Sequence, residues 1–281
     1  MRLVTTVAEL REAIRGARQA GKRIGFVPTM GYLHEGHRSL MVTARQETDF
    51  VVTSIFVNPM QFGPNEDLAR YPRDLARDTE LCASVPIDLL FHPTAAEVYP
   101  DRFQTKVTIG ELAGGLCGAS RPGHFDGVAT VVTKLFGMVQ PDVAFFGQKD
   151  AQQVAVIQRL VQDLNLPVEI RPVPTVREAD GLALSSRNTY LSPAEREAAL
   201  VLSRTLFWAE AQVKAGERDM GALQAAMIAR IEAAPLARID YVEIVDPLTL
   251  QPVTRLDESA LAALAVRFGS TRLIDNLRLV P

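Results

Sequence analysis

Short apolar runs alternate with amphipathic stretches through the first two thirds of the chain. The runs at 22–29 (KRIGFVPT), 49–58 (DFVVTSIFVN), 87–93, 141–147 and 167–175 predict strands. Several are apolar without period-two alternation, the pattern of strands covered by helices on both faces. Between them, 36–49, 72–85, 127–140 and 150–165 place apolar residues three and four apart and predict helices. This alternation implies an α/β class: a doubly wound, Rossmann-like, mostly parallel sheet.

After Asp180 and Gly181 the rhythm changes. Ser192 as a cap and Pro193 at the first helical position open a predicted long helix that ends at Gly216. A second helix over 219–234 precedes 238–247 and 260–276, which read as strands of a small separate sheet. The expected organisation is a larger domain over 1–177 and a smaller α+β C-terminal domain over 178–281, acting as a lid. No internal repeat or low-complexity tract interrupts either part.

Charge narrows the function classes. The chain has 281 residues, 30 basic and 33 acidic side chains, and a net charge of −3, so it carries no overall basic field for a nucleic-acid backbone. Cys82 and Cys117 form no CxxC pair, which suits apolar filler in a reducing interior. The first residues carry charges at helical spacing, where a secretory signal needs an unbroken apolar core, and no stretch is apolar enough to span a bilayer. The expectation is a soluble, cytoplasmic protein without membrane or nucleic-acid partners.

The candidate chemistry begins at PTMGYLHEGH, 28–37. With a helix starting near His34 or Glu35, His34 and His37 share one face of its first turn, beside backbone N–H groups and the positive dipole end. Gly31 and Gly36 allow close approach of a ligand. The pair suits an anion site at the carboxyl end of a strand, and equally a turn whose polar groups it satisfies. It lacks the HExxH spacing of zincins, and neither GxxxxGK[ST] nor GxGxxG is present. In FFGQKDAQQ (145–153), Gly147 and Lys149 offer a glycine turn and a cation, Asp150 suits a helix cap, and Gln153 could direct its amide at a polar substrate. An ordinary capped turn would look similar. In READGLALSSRNTYLS (177–192), Ser185, Ser186 and Arg187 form a donor-rich loop suited to a polyphosphate or to a solvated linker. Asn58 and Gln61 are directional amides in an apolar turn, and Arg121 with His124 suits a binding loop or a subunit contact.

Taken in order, VPTMGYLHEGHRSL, SIFVNPMQF, SRPGHF, FGQKDAQQ, DGLALSSRN and RLIDN resemble the signatures of the pantothenate synthetase family, AMP-forming pantoate–β-alanine ligases of the HIGH-motif nucleotidyltransferase superfamily. The resemblance covers essentially the whole chain. It implies ATP as substrate, with Mg2+ held mainly through the ATP phosphates, no metal site made of protein side chains, and a homodimer. It implies an ATP site formed by Met30, Gly31, Tyr32, Leu33, His34, Glu35, Gly36 and His37; by Gly147, Gln148, Lys149 and Asp150; and by Val176, Leu184, Ser185, Ser186 and Arg187. Gln61 and Gln153 would bind pantoate, and Gln61 also β-alanine. His37, His34, Lys149 and Arg187 would be catalytic. The loop reads LSSR where the superfamily's KMSKS carries methionine and lysine, and position 148 is Gln where many relatives have Glu. The competing expectations are another HIGH-motif nucleotidyltransferase with a different acceptor, and a nucleotide-binding module without catalysis.

Overall fold

A computed structural model describes residues 1–64 and 66–281. The chain divides into two compact units: 1–110 with 121–148 and 156–174, and 111–120 with 149–155 and 175–281.

The first unit is built on strands β1 (Arg2–Val4), β2 (Ile24–Thr29), β3 (Phe50–Ile55), β4 (Leu89–Phe91), β5 (Val143–Gly147) and β6 (Glu169–Val173). They form one parallel sheet in the order β1-β4-β3-β2-β5-β6. All five strands expected in this region are present. β1 was not expected: three residues, of which only Val4 is buried, leave no periodic signal. It exists because β4 offers a partner.

Strand order reverses between β2 and β5, and this sets the location of the site. β2 pairs with β3 along six residues but with β5 only at Gly25 and Phe26. Beyond Phe26 the two central strands have no further pairs, and Pro28, which has no N–H to contribute, lies in that unpaired stretch. Open α/β sheets bind ligands at such a reversal, outside the carboxyl ends of the strands. One core lies on the side of the helix Glu35–Glu47, where Leu40, Met41 and Ala44 pack with Val27, Val51, Leu90 and Phe145. Phe136 of the helix His124–Val139 meets Phe26 and Phe146 edge-on at 6.5 Å. Each such side chain removed from water contributes roughly 1.5–3 kcal/mol. Cys82 is buried in the first of these cores, and burial pushes its thiol up to about 12, so it acts as apolar filler.

The second unit contains the antiparallel sheet β7 (Ala237–Val245), β8 (Ala260–Phe268) and β9 (Thr271–Leu279), in that order. One face packs Leu264, Val266 and Leu273 against Leu206, Leu223 and Met227 from the helices Val201–Lys214 and Met220–Glu232. The other packs Leu261 and Ala263 against Leu116, Ala151 and Ala155. Those contacts explain why 111–120 and 149–155 belong to this unit. The helix expected over 192–216 is interrupted. It forms as Pro193–Ala198 and Val201–Lys214, because the amides of Leu200 and Leu202 bond the carbonyls of Glu197 and Ala199, three residues back rather than four. Its expected start is present: Ser192 Oγ accepts from the Glu195 amide, and Glu195 returns a carboxylate to the Ser192 amide.

One close approach in the first unit can be tested directly. A Cβ at Gly127, inside the helix His124–Val139, would overlap the carbonyl of Met60 and lie 2.7 Å from Gln61 Cα, whereas one at Gly137 of the same helix meets nothing within 4 Å. Gly137→Ala should therefore stabilise by up to about 1 kcal/mol through helix propensity alone. Gly127→Ala should destabilise by ~1–3 kcal/mol through overpacking. Denaturant midpoints that shift in the same direction for both variants would refute the reading.

Candidate active site

The site begins where β2 ends. Gly31 (φ +85°) and Tyr32 (φ +49°) both take left-handed backbone, and a Cβ at Gly31 would crowd Ile55 and Asp78 at 3.0 and 3.1 Å. The turn is held by Asp78 on the helix Leu75–Ala83, whose two carboxylate oxygens accept from the amides of Tyr32 and Leu33 at 2.7 Å each. Burial raises the Asp78 pKa against these two hydrogen bonds, which favour the charged form. Thr29 Oγ1 completes the turn, donating to the carbonyl of Ser54 and accepting from the Gly31 amide. The Leu33 side chain is in the core, and Arg77 lies over the Tyr32 ring at 4.6 Å.

His34 is the N-cap of the helix Glu35–Glu47. Its Nδ1 accepts from the Gly36 amide at 3.1 Å, and Nδ1 of His37 accepts from the His34 amide at 3.3 Å, a capping box made of two imidazoles with ring centroids 4.1 Å apart. The helix amides expected beside the pair are in part taken up within the turn, that of Gly36 by His34 Nδ1 and that of His37 by the His34 carbonyl. The capping box also fixes chemistry. A ring nitrogen that accepts an N–H carries no proton, so each neutral imidazole carries its proton on Nε2. Both rings are half-buried.

The second element is the turn Asn58–Gln61, at the end of β3. Asn58 is buried and fully bonded: Oδ1 accepts from the Met60 amide (3.2 Å) and from Tyr99 Oη (2.7 Å), while Nδ2 donates to the Gly127 carbonyl (3.0 Å) and to Gln61 Oε1 (3.1 Å). The Met60 amide can only donate and the Gly127 carbonyl can only accept, so the Asn58 amide cannot be flipped. Its second N–H therefore demands an oxygen, and Gln61 is held with Oε1 turned inward and Nε2 as its remaining polar group. That Nε2 lies 2.9 Å from Met30 Sδ, so the structure brings Met30 and Gln61 together. Burial raises the Tyr99 phenol above its ordinary value and keeps it a donor. The Gln61 carbonyl accepts from His124 Nδ1 at 2.8 Å. A guanidinium can only donate, so Arg121 Nη1 at 3.0 Å from His124 Nε2 places the ring proton on Nδ1. Arg121 also chelates Glu66 at 2.6 and 2.7 Å. Burial pushes the Glu66 carboxyl up, but the Arg121 hydrogen bond and charge outweigh it and leave the pKa below the ordinary value. Arg121 and His124 thus hold the Gln61 turn within this unit.

Gly147 ends β5, the neighbour of β2, and Gln148 follows it, both half-buried. The remaining residues belong to the second unit. Lys149 is half-buried and Asp150 exposed, in a 3-10 turn over Gln148–Asp150 that leads into the helix Ala151–Asp163. Gln152 is buried and donates to the carbonyls of Leu112 and Gly115 at 2.9 Å each, which anchors the first turn carrying the half-buried Gln153. Residues 176–184 form a narrow hairpin: Arg177 bridges Ala183, Leu184 donates to the Val176 carbonyl, and Gly181 (φ +98°) makes the turn. Ser185 then caps a 3-10 turn over Ser186–Tyr190 by accepting from the Arg187 amide at 3.3 Å. Asn188 ties this turn back to Glu178 and to the Ala183 carbonyl. The structure therefore groups residues 30–37 with Gln61 in one unit, and Lys149, Gln153 and 184–187 in the other. Among the described residues, no three His, Cys, Asp or Glu side chains cluster as a metal cage, and no helix is long and apolar enough to cross a membrane.

Sequence reasoning missed Asp78 and Tyr99. Neither adjoins a motif, and their roles arise from contacts 45 and 41 residues away.

A family model described as Pantoate-beta-alanine ligase matches residues 2–278. The chain is 59% identical to the pantothenate synthetase of Heliobacterium modesticaldum over 277 residues, covering 99% of each. Its fold is similar to the crystal structure of pantothenate synthetase from Thermus thermophilus, with a TM-score of 0.95, 51% identity and complete coverage of both chains. It is also similar to the pantoate-beta-alanine ligase of Francisella tularensis complexed with beta-gamma ATP and beta-alanine, with a TM-score of 0.79 and 35% identity over 99% of this chain and 97% of that one. With near-complete coverage and identities this high, the chain belongs to the pantoate-beta-alanine ligase family.

Proposed function

We propose that the chain joins pantoate to β-alanine at the expense of ATP through a pantoyl-adenylate intermediate. In the first step the pantoate carboxylate attacks the α-phosphorus of ATP and pyrophosphate leaves. In the second the amine of β-alanine attacks the acyl carbon of the mixed anhydride, AMP leaves, and pantothenate forms. A carboxylate is ionised at neutral pH, so adenylation needs no general base. It needs alignment, and donors aimed at the charge that grows on phosphoryl oxygens.

The observation that carries this reading is the imidazole capping box: two neutral rings, each tied to backbone through Nδ1, carry Nε2–H donors at the carboxyl end of β2. In the proposed roles His34 and His37 donate to phosphate oxygens, Lys149 and Arg187 supply positive charge, and Ser185 and Ser186 add hydroxyl donors. Met30 to His37, Gly147 to Asp150, Val176 and Leu184 contact the nucleotide through backbone or side chain. Gln61 and Gln153 hold pantoate, and Gln61 serves β-alanine as well. A Mg2+ ion would arrive bound to ATP and be held mainly by phosphate oxygens. When bound, it would neutralise phosphate charge. The family resemblance implies a homodimer, and two buried free thiols suit a cytoplasmic setting.

Three measurements test these roles. His37→Ala should lower pantoate-dependent ATP–pyrophosphate exchange by ~10²- to 10³-fold, the usual cost of removing a transition-state donor; near-normal exchange would remove His37 from the chemistry. Gln61→Glu preserves shape and the Asn58 hydrogen bond while replacing the substrate-facing N–H with a carboxylate oxygen. It should weaken pantoate binding by about 10- to 100-fold, the range of a lost hydrogen bond to a charged group, and leave ATP affinity unchanged by calorimetry. Equal losses for both ligands would contradict the assignment. Light scattering should return twice the chain mass, and a monomer at micromolar concentration would count against the homodimer.

A further inference from the structure

β9 is an edge strand of the C-terminal sheet, and Asp275 and Asn276 are adjacent buried polar residues on it. Adjacent strand residues face opposite sides of a sheet. Asp275 lies opposite Leu264, on the helix-covered face, and Asn276 lies opposite Ala263, on the face that carries Ala151 and Ala155. On the first face Asp275 chelates Arg177 at 2.6 and 2.8 Å, and Arg177 donates onward to the Gly181 carbonyl at the turn of the hairpin that leads into Ser185–Arg187. On the second face Asn276 Nδ2 donates to the main-chain carbonyl of Lys149 at 2.8 Å. A carbonyl only accepts, so the orientation of this amide is fixed. Asp275 Oδ1 also accepts the Asn276 amide at 2.8 Å, which couples the two halves at one carboxylate.

A bidentate Arg–carboxylate pair fixes the relative orientation of its two planar groups as well as their distance, and here the carboxylate is buried and the guanidinium partly so. Within this unit it anchors the hairpin base on one side and, through a single peptide, the Lys149 turn on the other. We infer that Asn276 is a positioning residue: its side-chain N–H registers the Lys149 turn against the Ser185–Arg187 loop, and so fixes the spacing of the two cations that grip the ATP phosphates. The inference rests on the proposed roles of Lys149 and Arg187, with Asn276 acting through the Lys149 peptide.

The test is a double-mutant cycle on the full chain, read as pantoate-dependent ATP–pyrophosphate exchange. Asn276→Asp keeps shape and volume and loses the donor; Asn276→Ala is the second variant, and thermal melts identify which of them remain cooperatively folded. Either substitution should lower kcat for exchange by about 10- to 100-fold, the scale of a misplacement near 1 Å, with KM for pantoate unchanged. In a Lys149→Ala background the same substitution should cause no further loss, because the group it positions is gone. Losses that multiply in the double variant, or wild-type exchange in a folded Asn276→Asp, would overturn the inference and leave the ligase reading intact. Normal exchange in Lys149→Ala alone would instead overturn the proposed role of Lys149, and the inference with it.

Discussion

The first unit depends on one buried carboxylate. Two consecutive left-handed residues, Gly31 and Tyr32, turn the chain sharply after β2 and point the amides of Tyr32 and Leu33 away from any ladder. A buried amide left without a partner costs about 1–3 kcal/mol; the Leu33 amide is buried and the Tyr32 amide partly so. Asp78 satisfies both with its two oxygens. The entry of the next helix is thereby fixed, and with it His34 as N-cap and His37 one turn on. The placement of both imidazoles is thus a consequence of hydrogen-bond satisfaction in a turn, set by a helix distant in sequence.

The same logic governs Gln61. Glutamine is ambiguous as a recognition group, because its amide can present either an oxygen or two N–H donors. Asn58 removes the ambiguity: two backbone groups of opposite character clamp its own amide, and it passes that polarity to Gln61. A residue whose outward group is a donor recognises carboxylate or hydroxyl oxygen. In the proposed chemistry this suits the carboxylates of both pantoate and β-alanine, and it leaves the ammonium of β-alanine no acceptor at this amide.

What could be read in the sequence follows from how local each cause is. The five main strands and the helices between them were legible because burial on both faces writes unbroken apolar runs, and an amphipathic helix writes three- and four-residue spacing. β1 was not, since its only cause is a partner 87 residues away. The Ser192 cap was legible, whereas the change to three-residue bonding at Leu200 and Leu202 leaves no mark in composition. The residues that carry polar chemistry stand in recognisable strings. Asp78 and Tyr99, which orient them, do not, because each acts across tens of residues through one or two hydrogen bonds; Asn276 stands in the RLIDN string, but its contact with the Lys149 carbonyl, 127 residues away, is not written there.

The choice of histidine at 34 and 37 follows from these constraints. A lysine would bring a hydrated point charge on a flexible stem, free to settle wherever the phosphates allow. An imidazole with Nδ1 bonded to backbone has lost the freedom to rotate its ring, and its Nε2–H direction is set before any ligand arrives. Pre-set donors need no reorganisation as charge develops, and this is the condition under which hydrogen bonding contributes most to a transition state. In the proposed reaction an anionic carboxylate must approach an anionic phosphate. Charge neutralisation then falls to the longer side chains of Lys149 and Arg187, and direction falls to the rings.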